Sequence, residues 1–239
     1  MLLLNHTCPT PEENLALDEA LLDVAERSGE PREVLRLWEA PRPLAVVGRS
    51  SRVAAEINEA ACRARDVPIL RRSSGGAAVI AGPGCLMYAL VLSYRLRPAM
   101  RLLDAAHRTV METMVAALRP LVPAVEWQGT CDLTIGGRKF SGNSMRCRRE
   151  HLLYHGTLLY DFPLELIGEC LGTPPRQPEY RDHRPHTAFV TNVPVSAERL
   201  GAALIDAWQA VAPYGPLPTD LVQELVEQKY SRAEWTYKH

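Results

Sequence analysis

An α+β fold with a mixed, partly antiparallel β-sheet is predicted by three features of this 239-residue sequence. Apolar residues recur at helical spacing in several separate segments. Short strand-like runs fall between them at irregular intervals, not in a regular βαβ series. A Gly136-Gly137 pair joins two of these runs in the manner of a hairpin.

Each element has its own reason. Pro11–Glu26 carries a helical stripe of Leu15, Leu17, Leu21, Leu22, Val24 and Ala25, with Thr10 as N-cap and proline at the first turn. Val34–Trp38 and Leu44–Val47 read as strands around the Pro41-Arg42-Pro43 turn, Ala54–Ala64 as a helix, and Val67–Leu70 as a buried strand. Ser73–Gly84 is a glycine-rich loop, Cys85–Tyr94 a central strand and Leu102–Leu118 a long amphipathic helix. The Gly136-Gly137 hairpin follows, then a strand near Leu152–Leu159 and a short helix at Leu164–Leu171. Pro174–Pro185 is rich in proline and charge and is expected to be an exposed connection. Ala197–Val211 and Thr219–Lys229 complete the helices.

Composition excludes several classes. With 46% hydrophobic and 23% charged residues the chain is an ordered globular protein. Its length suits a single domain over residues 1–239, and no separate C-terminal accessory domain is expected. A net charge of -1 argues against a general nucleic-acid binder. No apolar run approaches the ~18 residues of a membrane helix. The N-terminus lacks the basic region of a signal peptide, so a cytoplasmic, non-membrane protein is expected. The six cysteines are scattered without a C-x-x-C pair, and neither a zinc site nor a disulfide framework is expected.

Two segments carry candidate chemistry. In Arg71-Arg72-Ser73-Ser74-Gly75-Gly76-Ala77 the small residues let backbone N–H groups approach an anionic ligand, and the arginines can neutralise charge. No G-K-[ST] follows, so this is not a P-loop. In the second segment Asp132 begins a hairpin and Lys139 follows its turn. Ser141-Gly142 opens the next loop, Arg146 adds a cation, and His155-Gly156 starts a strand. A lysine so placed can meet a developing negative charge.

These motifs together identify a resemblance to the lipoate-protein ligase A family, within the larger biotin/lipoate ligase and octanoyltransferase group. It rests on Asn14-Leu15-Ala16-Leu17-Asp18-Glu19, Leu37-Trp38-Glu39, Val47-Gly48-Arg49, RRSSGGAAV, DLTIGGRKFSGNSMR, YHGTLL and Thr191-Asn192-Val193, roughly residues 11 to 195. The resemblance implies a biotin/lipoate ligase-like catalytic domain with a tunnel for the acyl chain. It implies attachment of a lipoyl or octanoyl group to a lysine of a small carrier domain, from 2-oxoacid dehydrogenases or the glycine cleavage H protein. Ligases use lipoate or octanoate with ATP and magnesium through an acyl-adenylate. Octanoyltransferases take the group from acyl carrier protein, often through a cysteine.

The resemblance also implies roles. Lys139 would hold the acyl carbonyl and the adenylate phosphate. Arg71 and Arg146 would neutralise phosphate or position the donor. Ser74, Gly75 and Gly76 would line the acyl chain, with Ala77 beside them. Asp132 would orient Lys139 or ligate magnesium, Ser141 and Gly142 would form the adjoining loop, and His155 and Gly156 would shape the pocket floor.

The sequence departs from the ligase pattern at the proposed site. Ala77 replaces a third glycine, Ala81 and Gly82 replace a polar pair, and Cys131 replaces an asparagine. Gly82-Pro83-Gly84 with Leu86 and Tyr88 is similar to a segment of the octanoyltransferases. Cys131 is either an acyl-accepting thiolate lowered by the nearby cation or a small packing residue, and Cys170 is a second nucleophile candidate. About 45 residues follow Thr191-Asn192-Val193, so a separate accessory chain supplies the activation function or the activation step is absent. A non-catalytic lipoyl-binding module is the alternative from another class. Biotin ligase is disfavoured because its glycine-rich and KWPND-like segments are unmatched.

Overall fold

Helix α1 (Pro11–Ser28) starts where the sequence places it. Thr10 Oγ1 accepts from Glu13 N, and the Glu13 carboxylate accepts from Thr10 N, a reciprocal cap. The computed structural model describes residues 1–173 and 176–239 and bears out the α+β class. Eleven strands are present among the described residues. They are β1 (Leu2–Asn5), β2 (Val34–Trp38), β3 (Leu44–Val47), β4 (Ile69–Arg71), β5 (Val79–Ala81) and β6 (Cys85–Ser93). After them come β7 (Val125–Gln128), β8 (Asp132–Ile135), β9 (Arg138–Cys147), β10 (His151–Leu159) and β11 (Ala212–Pro213).

Eight strands form the main sheet in the order β11-β1-β2-β6-β10-β9-β8-β7, and β4-β3-β5 form a second. The sheets are mixed: β1 runs parallel to β2 and β11, β3 parallel to β4, and the remaining pairings are antiparallel. Every residue of β6 and of β10 is buried; β6 reads as an apolar run, while β10 carries His151, His155 and Thr157 among its apolar residues. Helix α1 packs across β6 and β10.

The other helices are α2 (Val53–Glu56), α3 (Glu59–Ala64), α4 (Leu103–Leu118), α5 (Leu164–Cys170), α6 (His186–Phe189), α7 (Ala197–Ala207), α8 (Thr219–Leu225) and α9 (Ala233–Thr236). The helix expected over Ala54–Ala64 is therefore two. Ile57 is extended and bridges Leu171, and the Asn58 side chain caps α3. Strands β1, β5, β7 and β11 are two to four residues long, and so short a run shows little strand pattern in the sequence. Helix α8 widens into a looser turn at Val226–Tyr230.

The expectation for Pro174–Pro185 is corrected in part. Residues 174–175 lie outside the described residues. From Pro178 onward the segment folds back onto the β8–β9 hairpin: Arg181 is buried, and a side chain at Gly129 would press on Pro178 and Tyr180. Arg184 Nη2 donates to Gly137 O at 3.0 Å and Arg138 Nη2 to Val190 O at 2.8 Å. These bonds stitch the segment to the strand that carries Lys139.

Candidate active site

Lys139 is the second residue of β9, just past the Gly136-Gly137 turn. Its Nζ lies 2.7 Å from Asp132 Oδ1, and Asp132 pairs with Gly142 across the β8–β9 ladder. Gly142 is obligatory for this pose. A Cβ there would fall 2.7 Å from both Cε and Nζ of Lys139, so the lysine lies directly over bare backbone. Asp132 Oδ2 accepts from Tyr180 OH at 2.7 Å. With both oxygens engaged, Asp132 orients the lysine.

Two cavities meet at Lys139. Both are lined by Ala77, Ala78, Val79, Lys139, Gly142 and Thr157. The first continues past Leu15, Val46 and Met87, with Arg72, Asp18 and His155 on its polar side. The second continues past Phe140, Ile167 and Phe189 and carries Arg176, Arg181 and His186. The first is a narrow apolar slot suited to an acyl chain. The second combines apolar surface with cationic groups and suits an anionic, partly aromatic ligand. Burial, with Arg181 and Lys139 nearby, pushes the His186 imidazole below its ordinary value.

A buried polar chain forms one side of the slot. Arg72 Nε donates to Ser74 Oγ at 3.1 Å, and Ser74 Oγ stands 2.5 Å from His155 Nε2. His155 Nδ1 lies 3.3 Å from Asp18 Oδ2, and Asp18 Oδ1 lies 2.6 Å from Arg36 Nη1. Because Asp18 accepts at Nδ1, the neutral imidazole takes the Nδ1–H form and accepts the Ser74 hydroxyl at Nε2. Arg36 is held by Asn14 Oδ1 at 2.7 Å. Asn14 and Asp18 are four residues apart on α1, hence on one helical face, and both serve this network.

The adjacent arginines part company. Arg71 is fully buried and donates to the carbonyls of Gly48, Ser51 and Thr236, so it braces the loop from behind and lines neither cavity. The expected phosphate role therefore does not fit Arg71; Arg72 lines the slot instead. Burial pushes Arg72 down to about 10 while it donates to Val46, Gly75 and Ala77 carbonyls. Arg146 also moves out of the site. It pairs with Glu19 Oε1 at 2.8 Å, where Lys229 and Tyr230 converge on Oε2, and it lines neither cavity.

Other expected residues do converge. Gly76 and Ala77 line the slot, while Ser74 and Gly75 act one layer behind through His155 and Arg72. Ser141 lines the second cavity and Gly156 the first. Gly156 must be bare, because a Cβ would overlap Asn143 Oδ1. Cys131 lines neither cavity. Its Sγ–H donates to Asn143 O at 3.0 Å, and burial pushes the thiol up to about 11. Cys170 is fully buried with a raised thiol pKa, packed near Cys62. Neither cysteine is placed as a thiolate.

Three contributors escaped the sequence. Glu56 is buried, and its Oε2 accepts from Ala78 N at 2.6 Å, pinning the wall shared by both cavities. Asn143 lines the slot and accepts from Tyr88 OH. Tyr180 fastens Asp132. Of the residues in the network, Ser74 and His155 were already candidates, and Asn14 and Asp18 had a local signal as polar groups at helical spacing on an apolar stripe. Among the described residues no three His, Cys, Asp or Glu side chains converge to hold a metal ion.

Comparison with known proteins bears on the family and the fold. Residues 10–203 match the lipoyl protein ligase A/B catalytic domain. A protein of Aeropyrum pernix named as a lipoate-protein ligase A is 31% identical over 87% of this chain and 75% of its own length. Octanoyltransferase LipM of Kyrpidia tusciae is 26% identical over 94% of both chains. A relative from Mycoplasma pneumoniae is longer, and the match spans 46% of it. Among solved structures, the bipartite lipoate protein ligase of Thermoplasma acidophilum, described with its E2 lipoyl domain, superposes with a TM-score of 0.82. It is 23% identical, and the match covers 99% of this chain and 95% of that one. Two cavities joined at a lysine, on a fold and sequence of this kind, place the chain in the lipoyl protein ligase A/B catalytic domain family.

Proposed function

We propose that this protein attaches a lipoyl or octanoyl group to a specific lysine of a lipoyl carrier domain. The observation that carries the reading is Lys139 at the junction of an apolar slot and a cationic cavity. The acyl chain enters the slot along Leu15, Val46 and Met87, which brings its carboxyl end to Lys139. ATP occupies the second cavity near Arg176 and Arg181. A carboxylate oxygen attacks the α-phosphate, pyrophosphate leaves, and the acyl-adenylate straddles the junction. The carrier lysine then attacks the acyl carbon, AMP leaves, and the amine proton passes to solvent.

Lys139 acts at both stages. One N–H is used on Asp132, and two remain for the phosphate and the carbonyl oxygen on which charge grows. Magnesium is expected to arrive with the nucleotide. Both oxygens of Asp132 are already engaged, by Lys139 and Tyr180, so the carboxylate serves the lysine in preference to a magnesium ion.

Carrier partners would be lipoyl domains of 2-oxoacid dehydrogenases or the glycine cleavage H protein. A separate accessory chain is the expected source of any further activation function. No helix of the described residues is long and apolar enough to cross a membrane, and the cytoplasm is the proposed location.

A second reading is octanoyl transfer from acyl carrier protein, supported by similarity to an octanoyltransferase along nearly the whole chain. A covalent route through Cys131 or Cys170 is disfavoured by their raised thiols.

One assay separates the readings. An apo lipoyl domain is incubated with lipoate, ATP and magnesium, or with octanoyl-carrier protein, and followed by mass. Product only with ATP supports the ligase; product only from the thioester supports the transferase. No product from either donor, nor from preformed acyl-adenylate, would sink both.

A further inference from the structure

We propose that Tyr180 is a positioning residue that acts on Lys139 through Asp132; this rests on the role given above to Lys139. Three side chains form one line: Tyr180 OH to Asp132 Oδ2 at 2.7 Å, then Asp132 Oδ1 to Lys139 Nζ at 2.7 Å. Asp132 is buried, and a carboxylate with one fixed oxygen can swing about its own axis. Tyr180 fixes the other oxygen, and the ammonium inherits that orientation.

The tyrosine is itself held on two sides. Its ring packs on Phe189 at 5.3 Å between centroids, and on its other flank it faces Gly129, where a Cβ would lie 3.3 Å from Tyr180 Cε1. Burial and the adjacent carboxylate push its hydroxyl well above the ordinary value, so it remains a donor. Its chain segment is anchored beside the lysine: Thr191 N donates to Lys139 O at 2.9 Å, and Arg184 donates to both Gly137 O and Tyr180 O. Among the described residues of this segment, the Tyr180 hydroxyl is the group that hydrogen-bonds the carboxylate holding the ammonium.

The consequence is a division of labour. Lys139 must turn part of its hydrogen bonding toward substrate without losing its place over Gly142. Asp132 held at both oxygens allows this; Asp132 held only by the lysine would follow it. Tyr180 therefore affects the rate of transfer, not the affinity for the carrier domain.

The test is a double-mutant cycle on the full chain with Tyr180→Phe and Asp132→Asn. It uses the donor that supports transfer by the wild type and reads kcat and KM for the carrier domain. Tyr180→Phe should lower kcat about tenfold or more, the scale of a lost hydrogen bond to a charged group. KM for the carrier domain should stay unchanged, and the melting temperature should fall by no more than a few degrees. Made on top of Asp132→Asn, the same change should add little, because the carboxylate it serves is gone. Full kcat in Tyr180→Phe overturns the proposal, as does an equal loss with or without Asp132, or a loss confined to KM. Full activity in Lys139→Ala would instead remove the role of the lysine itself.

Discussion

Asp18 Oδ2 stands 3.3 Å from His155 Nδ1, tying helix α1 to strand β10 beside the acyl slot. On its other oxygen the carboxylate meets Arg36, a guanidinium with no exposure to solvent. Removing one partner of a buried pair strands the other. Asp18→Ala should therefore cost about 3–5 kcal/mol in urea unfolding. Asp18→Asn should cost less, since it keeps the shape and one acceptor. Equal stability of all three proteins would refute the network.

Lys139 is expected to be a strong lever on activity, since it stands where the two cavities meet. Lys139→Ala should lower the transfer rate about 10²- to 10³-fold, the range for loss of one preorganised charge-stabilising donor. The melting temperature should fall as well, because the side chain is only 26% exposed and its loss leaves the buried Asp132 carboxylate without its cation. Gly142→Ala should also lower the rate, by displacing the lysine that lies over it. Single-turnover transfer to an apo lipoyl domain checks both.

Cys131 is expected to resist alkylation. Its thiol is pushed up to about 11 by burial first and Asp132 second, against the lowering pull of Lys139. At neutral pH iodoacetamide should modify exposed Cys147 well before Cys131, and the Cys131 rate should climb as pH approaches that value. Peptide mass mapping over a pH series gives the result. Rapid labelling of Cys131 at pH 7 would reopen the covalent route.

Glu19 supplies an acid-sensitive contact. Burial alone would raise its carboxyl, but Lys229, a hydrogen bond from Tyr230 and Arg146 outweigh that and hold it below its ordinary value. A group depressed in the folded state stabilises fully above its unfolded pKa, about 4.3. That contribution fades as pH falls through the lower folded value. Glu19→Gln should therefore destabilise the protein at pH 7 and flatten the acid limb of melting temperature against pH. Parallel curves for the two proteins would rule this out.

Sequence patterns reach local features well and contacts between distant segments poorly. Helix α1 was legible to its cap because Thr10, Pro11 and Glu13 act within one turn. The Gly136-Gly137 turn was legible for the same reason. Arg71 and Arg72 were not separable: neighbours at a strand end point to opposite faces, and nothing local says which face meets the cavity. Arg146 shows the same limit, since its partner Glu19 is far away in sequence. Tyr180 sits in a proline- and charge-rich stretch that reads as solvent-exposed. Only the folded hairpin shows that it reaches Asp132.

The bonds from Arg71 to Thr236 O tie the glycine loop to a helix remote in sequence. They span 165 residues, from the root of the glycine loop to the last helix. The residues that line the two cavities all precede, in chain order, the carbonyl this guanidinium reaches. Removing the last few residues should leave Lys139 in place and take from Arg71 its bonds to Trp235 O and Thr236 O, with those to Gly48 O and Ser51 O left to hold the loop.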